Sequence, residues 1–341
     1  MNNRTAPSVP PTTHAPPSRK RPRWPAALAI SLLLVLLIGA YLFIPHNIRS
    51  LASSPLPAQG YDEAVQRIEA LQAQETGFNP VCRTQFMTYS QKMAQVIVMT
   101  HGYTNCPEQF RALGKQFYTL GYNVLIAPLP HHGLADRLTD EQSQLTAEEV
   151  VSYADEVVDI AQGLGDHVTM IGISGGGVTT AWAAQTRSDL DLAVIISPAF
   201  GYYIVPTPLT VPAMNYYLAI PDSYTWWDEN LKDKVGPDYG YPRYSTHALA
   251  QLLRLGFAVG TRAQEAAPAA GSILVITNAN DQIINNTLIY TVTGYWRDHG
   301  ANLRTYEFDA SLQLSHDLID PSLPDQKTDI VYPKLVELIT P

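Results

Sequence analysis

The chain has little cysteine, little charge and, past its first two dozen residues, little positive charge. Two cysteines, Cys82 and Cys106, stand among 341 residues. That is too few for a disulfide scaffold and leaves room for one bridge in an oxidising compartment. The histidines fall in no spacing with Cys or Asp that would ligate a metal, and the adjacent His131 and His132 suit shaping a loop better than holding an ion. Neither a metal nor an organic cofactor is expected. Residues 1–24 hold Arg4, Arg19, Lys20, Arg21 and Arg23 and no acid, five of the 22 bases, so 17 are left to face all 31 acids. An acidic bulk speaks against nucleic acid as a partner, because phosphate binding needs a basic surface.

Two stretches lack something more local. Residues 1–18 have no apolar periodicity and cannot bury enough surface to offset their ordering entropy, so a disordered basic tail is expected over residues 1–24. Residues 25–44, Pro25 to Ile44, have no charge at all. About twenty uncharged residues at 1.5 Å rise match the hydrocarbon core, basic residues precede them, and Tyr41, Phe43 and Pro45 close them with an interfacial composition. A transmembrane anchor is therefore expected at 25–44. A cleaved signal peptide is the alternative, though its apolar region usually stops sooner, at a small-residue site. On either view the flanking charges send the rest of the chain across the membrane, as an anchored extracytoplasmic domain or a secreted one. Residues 45–79 then form a linker with a short helix, Gln59 to Gln74, whose Ala64, Ile68 and Leu71 share a face.

What remains, residues 80–341, alternates apolar strands with helical patterns. Continuous apolar runs such as Val96 to Thr100, Val168 to Ile173, Leu192 to Ile196 and Ser272 to Thr277 are the pattern of a mostly parallel sheet covered by helices on both faces. Ligands of such sheets sit at the carboxyl ends of strands. Thr84 to Tyr89 is expected to pair with Gln95 to Thr100 as an antiparallel hairpin at the sheet edge. Thr146-Ala-Glu-Glu149 is a capping box that opens a helix reaching Gly163. At about 199–260 the alternation breaks into a Pro-rich stretch crowded with aromatics, Tyr202, Trp226, Trp227 and Tyr244 among them. An insertion of that length is expected to cap the site and line an apolar pocket.

The segment that organises the rest is Gly172-Ile173-Ser174-Gly175-Gly176, where a strand runs into a helix through a serine flanked by glycines. A serine on so tight a turn sits in strained backbone, and larger neighbours two residues away would collide, which is the pattern of a nucleophile elbow. A serine hydroxyl needs a general base, and the base needs an acid to fix its tautomer. Both are expected after the serine, on loops at the same sheet edge. Asp281 follows the Ser272 to Thr277 strand, and His316 follows the strand Leu303 to Phe308. Asp309 is the main rival for the acid, with Asp317 and Asp320 weaker ones. Developing oxyanion charge calls for two backbone amides. Gly175, at the helix N-terminus, supplies one, and Tyr103 supplies the other from the loop after Thr100, where His101 shapes the turn. If the hairpin forms, Cys82 and Cys106 can meet in a disulfide that pins this loop.

His101-Gly-Tyr-Thr104, Gly172 to Gly176, Asn280-Asp281 and Ser315-His-Asp317, in this order, resemble the α/β-hydrolases, within the branch of carboxylesterases, monoacylglycerol lipases and serine-aminopeptidase-like hydrolases. The likeness covers about residue 80 to the C-terminus. Two departures stand out: His131 replaces a glycine in Pro130-His-His-Gly133, and Asn105 stands where the family often has glycine. The resemblance implies Ser174 as nucleophile, His316 as base, Asp281 as its orienter, and Tyr103 and Gly175 as the oxyanion hole. It also implies a serine hydrolase that cleaves small-molecule or lipid-like carboxylic esters through an acyl-enzyme. An amidase or aminopeptidase, with Asp222, Asp228 or Glu229 holding a substrate ammonium, is the alternative. A membrane-tethered binding protein without catalysis is another.

Overall fold

The computed structural model describes Met1 and residues 24–340, so all of the expected basic tail but its two ends lies outside the described residues. The chain divides into two units, one up to Tyr41 and one from Leu42 onward. The first holds most of helix α1 (Trp24–Phe43). Among the described residues, no helix is long and apolar enough to cross a membrane. A span needs about 20 continuous apolar residues for roughly 30 Å of hydrocarbon. The expectations of a transmembrane anchor at 25–44, of the membrane as a partner and of membrane-anchored localisation are corrected on that finding.

The second unit begins with α2 (Tyr61–Gln74), β1 (Gln85–Met87), β2 (Met93–Thr100), α3 (Glu108–Thr119), β3 (Asn123–Ile126) and α4 (Ala147–Leu164). It continues with β4 (Gly165–Ile173), α5 (Gly175–Thr186) and β5 (Leu192–Ile196), then α6 (Thr210–Ala219), β6 (Tyr224–Trp226), β7 (Arg243–Ser245) and α7 (Thr246–Glu265). The last elements are β8 (Ser272–Asn278), α8 (Asn286–Asp298), β9 (Leu303–Phe308) and α9 (Thr328–Ile339). Seven strands form one sheet in the order β1-β3-β2-β4-β5-β8-β9, and β6 pairs with β7 apart from it. All neighbours in the large sheet are parallel except β1 and β3.

The expected hairpin does not form. β1 pairs antiparallel with β3, which stands between it and β2. The five-residue stretch between β1 and β2 carries the chain past β3 instead of turning back on itself. The parallel strands are apolar on both sides because both faces are covered. Val96 and Val98 of β2 enter one core with α4, α5, α7 and α8, while Ile97 and Met99 enter a second with α3 and α9. The capping box at Thr146 is present, with Thr146 accepting from the Glu149 amide and Glu149 accepting from the Thr146 amide. It fixes the first turn of α4.

The segment ahead of β1 belongs to the same core. α2 buries Ala64 and Ile68 against α4. At Gly163 a Cβ would stand 2.5 Å from the Gly60 carbonyl oxygen and 2.8 Å from Ala64 Cβ, so only glycine lets the two helices meet here. Residues 53–56 are strapped to α4 through its acids: Ser53 Oγ and the Ser54 amide donate to Asp155 at 2.5 and 2.6 Å, and the Leu56 amide donates to Asp159 at 2.7 Å. The same two carboxylates, with Asp189, hold the fully buried guanidinium of Arg187. A buried cation with three acids is tolerable because each charge is paired and hydrogen-bonded.

Candidate active site

The strand ends gather the site. The loops after β2, β3, β4, β8 and β9 all leave the sheet at its carboxyl edge, and the sequence places His101, His131, Ser174, Asp281 and His316 on those five loops. Ser174 links β4 to α5 with φ 56° and ψ −112°, a left-handed conformation that costs a non-glycine residue of order 1–3 kcal/mol and persists only where the surroundings enforce it. They do so here: its amide donates to the Ile196 carbonyl, and its own carbonyl accepts from Ala199, both at 3.0 Å. A Cβ on Gly172 would stand 2.1 Å from the Gly176 carbonyl oxygen, and one on Gly176 would stand 2.0 Å from that of Thr100. The glycines two residues either side of the serine are therefore required by contact.

His316 Nδ1 meets Asp281 Oδ2 at 2.7 Å. The other oxygen of Asp281 accepts the amides of Ile283 and Ile284, both at 2.9 Å. An acceptor on Nδ1 fixes the proton there and leaves Nε2 free to take another. Burial works to raise the Asp281 pKa, but the facing imidazole and the hydrogen bonds outweigh it and hold the carboxyl below its ordinary range. For His316 burial works downward, and the charge and hydrogen bond of Asp281 overcome it, so its pKa is raised. The His316 loop is tied to the end of β8 by the buried Asn278, whose Nδ2 donates to the carbonyls of Leu314 and Ser315. None of the rival acids meets the imidazole by hydrogen bond. Asp309 caps its own turn through the Ser311 amide, Asp320 accepts from Tyr239 and Ser322, and Asp317 faces Asn105 and Gln109.

Ser174 and His316 line one cavity of about 200 Å³, together with Gly102, Tyr103, Trp227 and Asp317. Among the described residues no hydrogen bond joins the Ser174 hydroxyl to His316; such bonds often tighten only when substrate is bound. Gly102 comes so close that a Cβ on it would lie 3.6 Å from Ser174 Cβ, and the Tyr103 amide nitrogen would lie 3.1 Å from a Cβ on Gly175. The Tyr103 amide nitrogen thus lies beside Gly175, next to the serine, and among the described residues neither the Tyr103 nor the Gly175 amide donates a hydrogen bond.

Two buried histidines shape the loop that carries Tyr103, each holding an amide of the opposite loop. His101 Nε2 accepts from the Leu129 amide at 2.9 Å, and His132 Nε2 accepts from the Thr104 amide at 3.2 Å. Their Nδ1 atoms face the carbonyls of Gly102 and Pro130. Burial pushes their pKa values down to about 3 and about 4, so both stay neutral and act as fixed acceptors. His131, which stands in place of a glycine, takes φ 62° and is held between Glu141 and Glu149 at 3.3 and 3.1 Å. Cys82 and Cys106 form a disulfide with Cα atoms 5.2 Å apart, although the hairpin expected to bring them together is absent. Sequence reasoning missed Gln109, and it named Trp227 only among the aromatics expected to cover the site, not as the indole that donates to Thr104 Oγ1 at 2.9 Å. Neither stands in a spacing that announces a role.

Several known proteins share this arrangement of the chain. A structure from the metagenome-derived lipolytic enzymes LipS and LipT is 18% identical, with a TM-score of 0.58 over 77% of this chain and 98% of that one. A monoacylglycerol lipase from Paleococcus ferrophilus is 16% identical, with a TM-score of 0.56 over 75% and 96%. A soluble variant of monoglyceride lipase from Saccharomyces cerevisiae is 14% identical, with a TM-score of 0.53 over 75% and 90%. At such identities the likeness establishes the fold, that of the α/β-hydrolases. A curated thermostable monoacylglycerol lipase of Bacillus sp. (strain H-257) is 24% identical over 165 residues, 47% of this chain, and the match spans 60% of that relative's length. The family model described as serine aminopeptidase, S33, matches residues 91–307, and the chain belongs to that family.

Proposed function

We propose that this protein is a serine hydrolase that cleaves carboxylic esters through an acyl-enzyme, with Ser174 as nucleophile, His316 as general base and Asp281 as the group that orients it. One observation carries the proposal: a serine held in strained backbone and an imidazole bonded through Nδ1 to a buried carboxylate line the same small cavity. In the first step His316 Nε2 takes the hydroxyl proton as Ser174 Oγ attacks the ester carbonyl. The amides of Tyr103 and Gly175 receive the oxyanion, a contribution of several kcal/mol where the donors are fixed in advance. His316 then returns the proton to the departing alcohol, and a water deprotonated by the same nitrogen releases the acid.

The hydrolase chemistry is assigned to residues 80–341, with the stretch at about 199–260 as a cap over the cavity. Trp227 supports that role, because it lines the Ser174 cavity and also a second, more apolar cavity of about 160 Å³ that includes Tyr202, Tyr244 and Leu253. An apolar chamber beside the nucleophile suits the acyl part of a neutral, lipid-like ester, and the named lipases among the relatives agree in class. Two of the three carboxylates that an aminopeptidase would use to hold an ammonium are engaged elsewhere, and the third, Glu229, is exposed. Asp222 accepts from Ser245, Thr246 and the His247 amide, and Asp228 accepts from the Asn230 and Leu231 amides.

The test combines a fluorophosphonate probe with p-nitrophenyl esters of graded chain length and aminoacyl anilides. Labelling and ester turnover that both vanish in Ser174→Ala are expected. A folded wild-type protein that takes up no probe, or one that turns over anilides faster than esters, would overturn the assignment.

A further inference from the structure

Asp317 is the residue after His316, and the hydrolytic steps above do not use it. Its Oδ2 accepts two hydrogen bonds from the opposite side of the cavity, from Gln109 Nε2 at 2.7 Å and Asn105 Nδ2 at 3.0 Å. Gln109 completes the link, because its Oε1 accepts the Gly102 amide at 2.8 Å, and the Gly102–Tyr103 peptide supplies the amide that faces Gly175. Asn105 turns its own oxygen to the Cys106 amide at 3.0 Å. Both amide side chains therefore have their orientation set: each must donate to Asp317 in order to present an acceptor to the loop. The other carboxyl oxygen, Oδ1, is buried without a well-formed hydrogen bond among the described residues, although the Ile319 amide acts on the carboxyl. A buried carboxyl oxygen so poorly satisfied is costly, so a residue kept at that cost asks for a function.

We propose that Asp317 is a positioning residue for ester hydrolysis, its Oδ2 fixing Gln109 and Asn105 so that the loop bearing the Tyr103 amide and the loop bearing His316 keep one alignment. The proposal rests on the assignment of Ser174, His316 and Tyr103 above. It explains why an asparagine stands at position 105, where the related enzymes often have glycine: the side chain supplies the second strut. Asp317 acts on His316 through charge as well. The groups that face it are His316 and Asp320 from its own loop, Tyr239 through its bond to Asp320, and Tyr332 of α9. Burial and the neighbouring Asp320 hold its pKa up to about 7, so it gains charge near neutrality. In that state it favours the imidazolium formed during the reaction.

The test compares Asp317→Asn, Asp317→Ala, Gln109→Ala and the double alanine variant in the full chain. kcat and KM for p-nitrophenyl butyrate are measured with the affinity of an alkylboronic acid, which mimics the tetrahedral species, against that of butyrate. Asp317→Ala is expected to lower kcat and boronate affinity together by about 10–100-fold, with KM and butyrate affinity within about threefold, because alignment matters where charge develops. Asp317→Asn keeps an acceptor for both donors and is expected to recover most of kcat. Removing the negative charge lowers the His316 pKa, so its acid limb moves to lower pH. The double variant should be no slower than the slower single, since the two residues form one strut. Unchanged boronate affinity in both Asp317 variants overturns the proposal, as does full additivity with Gln109→Ala. A Ser174→Ala protein that still hydrolyses ester marks a failure of the underlying assignment instead. Ester turnover lost in Ser174→Ala but intact in Asp317→Ala sinks only the role of Asp317.

Discussion

A carbon atom at position 176 has nowhere to go, since it would stand 2.0 Å from the Thr100 carbonyl oxygen. Gly176→Ala must push α5 away from β2 and take the Ser174 turn with it. The expected result is a fall in melting temperature and a loss of ester turnover of at least about 100-fold, in line with the cost of misplacing a reacting atom by an ångström; unchanged activity would remove the elbow from the account. Asp281→Asn tests the electrostatics. The raised pKa of His316 depends on the charge of Asp281, and only the neutral imidazole can accept the serine proton. In the wild type, activity should therefore fall as pH drops through a value above the ordinary histidine range, and in Asp281→Asn that limb should shift to lower pH. Turnover should fall by up to about 10⁴-fold, the size seen when an imidazole is left in the wrong tautomer. A pH–rate profile of both proteins decides it. At this scale the strained turn at Ser174 with its glycines and the contact of Asp281 with His316 were legible in the sequence, because strain and chain order leave few residue types that fit. The contact of Gln109 with Asp317, which the sequence offered only as a weaker candidate for the acid, was not, since a hydrogen bond between side chains 208 positions apart leaves no local pattern.

Among the elements, the parallel strands were legible because double burial makes them continuously apolar, and α4 was legible from its capping box. The pairing of β1 was not: register between strands is a long-range property, and a short connection after a short strand suits a hairpin as well as a crossover. The disulfide survives that misjudgement because the Cys106 end of the loop, on the way into α3, lies beside the turn that holds Cys82 whichever strand β1 joins. Bridging positions 24 residues apart should contribute about 3 kcal/mol through the unfolded state. Cys82→Ser with Cys106→Ser is therefore expected to lower the melting temperature by roughly 6–12 °C for a chain of this size. A thermal melt of the double variant beside the oxidised wild type measures it, and equal melting points would show the bridge to be idle.

For the molecule as a whole, the boundary drawn at residue 80 separates the resemblance from its support. Leu51 and Ile68 are buried in the same core as α4 and α5, and each such side chain is worth about 1.5–3 kcal/mol. The strap at residues 53–56 also satisfies two of the acids around Arg187. A protein that starts at residue 80 should be poorly soluble or melt more than about 10 °C below one that starts at residue 42. Expression of the two side by side, with calorimetry on whatever is soluble, tests this. Composition could not reveal the dependence, because a short amphipathic helix has the same sequence pattern whether it packs on its own domain or stands apart from it.

A covalent bond reinforces one bank of the cleft, the bank of Tyr103, while the opposite bank with His316 is moored by hydrogen bonds and by the packing of Leu314, Leu318 and Ile319. Warming should loosen the two banks unequally. The imidazole should wander from its station while the oxyanion cradle is still intact, and hydrolysis should fade, recoverably on cooling, before the sheet itself gives way.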